Sequence, residues 1–219
     1  MRKFYAALAL LVGLTGLVID GWIIFPSVMS ISPGNPVARS LPDALVYFWS
    51  YFTHLTNLGL VLVYAANLSS WRWLSWFRRP PTEAMMAGFI TLVMIFYHFM
   101  LAPYYHLEGA LGVASILLHY VTPIAYLVWW VAFAEHGRLK FTDLPWMLVP
   151  GVIYVACVLI RGIWAREYPY DILDPGKSGY GGVAIGVSAI LVSVSAFCLV
   201  LIWLDGRLVR RKSTQPEVA

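Results

Sequence analysis

The chain has 219 residues, of which 60% are hydrophobic and 12% charged, with a formal net charge of +4. A soluble domain averages about 25% charged residues, and one of this length could not hide so much apolar surface. Composition therefore excludes an ordinary soluble domain, and the modest positive charge fits a membrane protein with basic cytoplasmic loops, with no nucleic-acid partner. Cys157 and Cys198 both lie in apolar runs and read as buried small hydrophobes, not as a disulfide framework.

Six apolar runs succeed one another, over about 4–26, 44–68, 84–102, 111–134, 145–164 and 180–204. Each is near the ~20 residues that a helix needs to cross a bilayer. They predict an all-α polytopic membrane protein with six transmembrane helices in one domain over 1–206, and then a polar, frayed cytoplasmic tail over 207–219. Arg2 and Lys3 before the first run resemble the start of a secretory signal, but that run is long enough to span, and five more come after it. Trp71, Trp73, Trp76, Trp129, Trp130 and Trp146 fall near span ends, where an aromatic belt is expected. His106 and His136 fall in loops and read as solvated, and Tyr97, Tyr104 and Tyr105 as part of the belt.

With six spans both termini share one side. Arg2, Lys3, Arg72, Arg78, Arg79, Arg138, Lys140 and the tail's Arg207, Arg210, Arg211 and Lys212 fall on that side, against Arg39, Arg166 and Lys177 on the other. The positive-inside rule places both termini in the cytoplasm.

Topology then gives depth. Thr53 lies about nine residues into the second span from its outer end, or ~13 Å, and His119 about eight residues into the fourth, or ~12 Å. Asp20 and His98 fall in the same half, and Arg161 near the outer end of the fifth span. Thr53, Thr56 and Asn57 share a helical face, with His54 a quarter-turn away; Ser115, His119 and Thr122 share another. Pro123 frees a backbone carbonyl close to His119, which can bend the helix or bind a partner.

Polar groups at membrane depth must face protein or a cavity, so they mark a candidate site. Taken singly, each has an ordinary explanation. Membrane threonines most often bond their own backbone, lone histidines bridge helices, and Asp20 could simply pair with Arg161. Convergence at one depth favours chemistry. An imidazole can take the proton of the Thr53 hydroxyl, which then attacks an ester and forms an acyl-threonine that water cleaves. Asn57 and Thr56 are candidate oxyanion donors, Asp20 a candidate orienter of His119, and His98 a candidate wall residue. A site at this depth takes its lipid substrate from the bilayer. A metal held by His54, His98 and His119 is disfavoured because no His-x-x-x-His pair is present, so no metal or other cofactor is expected. The alternative from another class is a non-enzymatic lipid-binding or transport protein using the same cavity, although no inverted repeat is evident.

Three segments carry a family resemblance: Tyr51-Phe52-Thr53-His54-Leu55-Thr56-Asn57-Leu58, Leu118-His119-Tyr120-Val121-Thr122-Pro123, and Tyr168-Pro169-Tyr170-Asp171-Ile172-Leu173-Asp174, the last preceded by Leu159-Ile160-Arg161-Gly162. In these the chain resembles the androgen-induced membrane protein family of transmembrane threonine hydrolases, and most of all its bacterial six-span relatives. The resemblance implies metal-free hydrolysis of fatty acid esters of hydroxy fatty acids, with Thr53 as nucleophile and His119 as base, in a bacterial cytoplasmic (inner) membrane. The chain departs from the family in reading Tyr-Pro-Tyr-Asp-Ile in the third segment, and in carrying Thr56 and Asn57 where eukaryotic members have an acidic residue.

Overall fold

The structure, a computed structural model, describes residues 1–33, 35–104 and 107–213, with side chains to Val209. Tyr105, His106 and the tail beyond Ser213 lie outside the described residues, as do the side chains of Arg210, Arg211 and Lys212. Apart from an isolated bridge between Ser32 and Asn35, all regular structure among the described residues is helical.

The helices are α1 (Arg2–Met29), α2 (Leu41–Trp49), α3 (Phe52–Leu68), α4 (Pro80–Phe96), α5 (Gly109–Ile116), α6 (Thr122–Phe133), α7 (Leu144–Ala165) and α8 (Pro175–Ser213, kinked at Gly179). Local chemistry starts several of them. Proline, whose missing N–H costs nothing in a first turn, opens α4 and stands near the start of α2 and α7. The Ser40 hydroxyl caps α2 by accepting from the Asp43 backbone N–H at 3.4 Å.

Among the described residues, five helical stretches are long and apolar enough to cross a membrane: Arg2–Met29, Pro80–Leu101, Gly109–Phe133, Phe141–Ala165 and Pro175–Val209. Their outward faces carry exposed Leu11, Val18, Val113, Ile124, Val152, Ile163 and Val192. Such apolar faces suit lipid and would be a liability in water. The chain is a multi-pass, all-α membrane protein.

The run over 44–68 is not one helix. It breaks at Ser50 and Tyr51, leaving nine-residue α2 and seventeen-residue α3. No proline or glycine marks the break; other side chains satisfy the backbone it exposes. The His54 ring stacks on Phe48 at 3.9 Å, with Nδ1 2.6 Å from the Phe48 carbonyl, and the Tyr154 hydroxyl donates to the Ser50 carbonyl at 2.9 Å. Irregular backbone at membrane depth survives only with partners of this kind.

Two further irregularities leave no mark in the apolar pattern. Tyr97–Leu101 extends α4 by a π turn, and Leu117–Val121 joins α5 to α6 by another. α1 packs against α3 and α5, and α4 against α8. The main core gathers Leu60, Tyr64, Ile90, Tyr126, Trp129 and Cys198. Trp129 and Trp130 are fully buried there and so do not belong to the belt, unlike the exposed Trp71, Trp73, Trp76 and Trp146. Cys198 is buried as expected; Cys157 is exposed, because it falls on the outward face of α7.

Both the start of α1 and the later part of α8 lie at one end of the bundle. Arg2 donates to Asn67 at 2.6 Å, and Asn67 to Glu83 at 3.0 Å, so the start of α1, the end of α3 and the start of α4 meet. At the same end Tyr5 packs on Phe133. His136 is not solvated: its Nδ1 lies 3.1 Å from Asp205 Oδ1 and its Nε2 3.1 Å from the Val131 carbonyl, with the His136 and Asp205 side chains each 2% exposed. Asp205 Oδ2 also accepts from the backbone N–H groups of Gly137 and Leu139. The last helix therefore continues past the expected boundary at 206 and clasps the α6–α7 loop.

Candidate functional site

Thr53 stands in the first turn of α3, just after the break, and His119 in the middle of the second π turn. They line the same two adjoining cavities, together with Tyr97, Leu101 and Tyr170. One cavity is hydrocarbon, walled by Phe52, Phe89, Leu92, Val93, Phe96, Val155, Ile172, Leu173, Ile190, Leu191 and Val194. The other is the more polar of the two: Asp20, Tyr47, Tyr51, His54 and Ser115 line it beside Ile24, Leu107, Leu111, Leu118 and Pro169. Thr53 and His119 thus sit where an oily chamber meets a polar one.

The imidazole of His119 is firmly oriented. Its Nδ1 lies 2.9 Å from the Ser115 carbonyl, which can only accept, so Nδ1 carries the proton and Nε2 keeps its lone pair. Its ring stacks on Tyr97 at 3.8 Å and 15°, and the Ser115 hydroxyl donates to the Tyr97 hydroxyl at 2.7 Å. The two π turns bring this pair together, a common use of such turns. Of this arrangement only the position of Ser115, one turn before His119, is legible in the sequence.

Tyr170, on the loop after α7, is a site residue that the sequence reading misses. Its phenol lies close to the Thr53 and Tyr154 side chains and to the backbone N–H groups of Phe52 and Thr53. Those two backbone N–H groups open α3 and have no carbonyl one turn earlier in their own helix. Burial pushes the Tyr170 phenol above its ordinary value, so it stays a neutral O–H. The loop is pinned by Glu167, which accepts from Arg39 at 2.5 Å and from Arg161 at 2.7 Å. Gly162 matters here: a Cβ would fall 2.0 Å from the Tyr168 ring and push the loop away.

Several expected roles are corrected. Asp20 does not orient His119 and does not pair with Arg161; its Oδ2 lies 2.8 Å from His54 Nε2. With Nδ1 on the Phe48 carbonyl as well, His54 has no lone pair left for a substrate and instead ties α1 to the helix break. Arg161 belongs to the Glu167 clamp and faces another groove. His98 is exposed, 3.1 Å from the Tyr120 hydroxyl, and lines neither cavity, because the π turn carries it outward. Among the described residues no three His, Cys, Asp or Glu side chains are grouped to hold a metal.

Asn57 is not an oxyanion donor either. Its Nδ2 donates to the Thr53 carbonyl at 2.9 Å and to the Leu118 carbonyl at 3.1 Å. In a π turn the Leu118 carbonyl would accept from residue 123, which is proline and has no N–H. This is the freed carbonyl expected next to His119, and Asn57 satisfies it. Thr56 and Thr122 are buried with unpartnered hydroxyls and line neither cavity. Replacing Asn57 with Leu strips a buried carbonyl of its donor. It is expected to cost about 1–3 kcal/mol, read as a lowered unfolding midpoint in detergent.

The chain matches no family model, no curated protein and no solved structure.

Proposed function

We propose that the protein is an intramembrane hydrolase of lipid esters, and that fatty acid esters of hydroxy fatty acids are its substrates, as the resemblance to the transmembrane threonine hydrolases implies. In this reading the chain crosses a bacterial cytoplasmic membrane six times, with both termini in the cytoplasm, and the pair α2–α3 is the second crossing. The observation that carries the proposal is the setting of His119: Nδ1 lies 2.9 Å from the Ser115 carbonyl, which leaves Nε2 free, and the ring lines the same chambers as Thr53.

The steps balance without a cofactor. The Thr53 hydroxyl attacks the ester carbonyl as its proton passes to His119 Nε2. The tetrahedral oxyanion is met by the Tyr170 hydroxyl, which the N–H groups of Phe52 and Thr53 polarise. Collapse expels the alcohol, which takes the proton from Nε2 and leaves acyl-Thr53. Water then enters from the polar chamber, gives a proton to Nε2 and attacks the acyl carbon. The acid departs as Thr53 Oγ recovers the proton.

Release of free fatty acid from a hydroxy-fatty-acid ester by purified protein, with covalent labelling by a fluorophosphonate probe, tests this directly. Tyr170→Phe is expected to lower kcat about 10²-fold or more with little change in KM, because it removes a donor needed mainly in the transition state. An unchanged kcat would remove Tyr170 from the mechanism.

A second reading, a lipid-binding or transport protein, draws on the helix break, since discontinuous membrane helices often frame transporter sites. Saturable lipid binding by wild type, with neither labelling nor turnover, would favour it.

A further inference from the structure

Resting on the hydrolase reading, we infer that the two chambers divide the ester. The acyl chain lies in the hydrocarbon chamber, the alcohol half leaves through the polar one, and Gly151 and Leu191 set the acyl length accepted.

Chemistry assigns the halves. Beyond Thr53, Tyr97, His119 and Tyr170, which it shares with the polar chamber, the hydrocarbon chamber offers an acyl chain aliphatic and aromatic walls, with the Tyr154 hydroxyl already committed to the Ser50 carbonyl. A hydroxyl or carboxylate pushed into it would lose its water without gaining a partner. The polar chamber supplies hydroxyls from Tyr47, Tyr51 and Ser115, and the hydrolytic water must also come from that side. An acyl-threonine with its chain in the polar chamber would block that water.

Geometry assigns the length limit. Along α4 the hydrocarbon chamber runs from Tyr97 and Phe96 back to Phe89, about two helical turns or ~10 Å. Gly151 and Phe89 face each other on its wall, with Phe89 against Phe52 and Gly151 one turn along α7 from Tyr154. A Cβ added at Gly151 would lie 3.3 Å from the Phe89 ring, so any larger side chain there must project into the space or displace that ring. Leu191, half-buried on α8, lines the chamber from another helix.

The test uses the full-length protein in detergent with p-nitrophenyl esters from butanoyl to hexadecanoyl, and with one acyl chain esterified to a series of alcohols. Gly151→Leu and Leu191→Trp are each expected to lower the long-chain to short-chain ratio of kcat/KM by about tenfold or more. Two variants on different helices guard against one failing to fold. Leu107→Trp, which crowds the polar chamber, is expected to leave the acyl ratio unchanged and to alter selection among alcohol leaving groups. Ratios unmoved by both chamber variants, or moved by Leu107→Trp, would overturn this orientation while leaving an active hydrolase. A wild-type protein that cleaves no ester in the series would overturn the hydrolase reading, and the orientation with it.

Discussion

Thr53→Ala is expected to abolish fluorophosphonate labelling and to lower ester turnover by about 10³-fold or more, while the protein remains folded. In the proposed mechanism the hydroxyl is the atom that forms the covalent bond, and Thr53 is half-buried at a cavity wall, so its loss leaves little packing defect. His119→Ala should fall by a similar factor, because an unactivated hydroxyl is a poor nucleophile. Nucleophile and base act as a unit, so the double variant should be scarcely worse than either single one. Thr53→Ser keeps the hydroxyl and should retain labelling. Turnover that survives Thr53→Ala would remove Thr53 as nucleophile.

The largest expected effect on stability lies at the opposite end of the bundle. Asp205 receives the His136 ring and the N–H groups of Gly137 and Leu139, all from one loop, and is 1% exposed. Asp205→Ala would leave the buried His136 ring and two partly buried backbone N–H groups without their acceptor. It is expected to cost about 3–5 kcal/mol, the range for breaking one partner of a buried charged pair. For a chain of this size that lowers the unfolding midpoint in detergent by about 10 °C. The site is remote from both chambers, so residual kcat per folded molecule should be unchanged. A midpoint within about a degree of wild type would show that water replaces the carboxylate.

Much of the architecture was legible because lipid imposes a strong rule: about twenty apolar residues for each crossing. That rule located the long helices to within a few residues, and counting along them brought Thr53 and His119 to one level. The proline at 123 also foretold a free carbonyl near His119. Legibility failed where tertiary partners override local pattern. Nothing between Leu45 and Leu58 announces a broken helix, since His54, Tyr154 and Tyr170 reach the break from a later turn, another helix and a loop. Asp20 could not be matched to His54 over Arg161 or His119 by depth alone, because all lie in one half. His136 looked solvated because loop position carries no information on burial. Asn57 looked like a site donor because sharing a face with Thr53 does not say which way its amide turns.

The two π turns carry a consequence in the arithmetic of the chain. A π turn holds one residue more than the α turn it replaces, so each rotates the downstream helix by about 100°. Deleting one residue other than His119 from Leu117–Val121 would restore an ordinary helix there and swing α5 against α6 by more than a quarter of a circle. Ser115 and its carbonyl would part from the His119 ring, and Asn57 would face a different carbonyl, although all three side chains remain in the chain. The length of this segment is therefore as much a heritable property of the site as the identity of its residues, and a single-codon deletion is a sharper lesion than most substitutions.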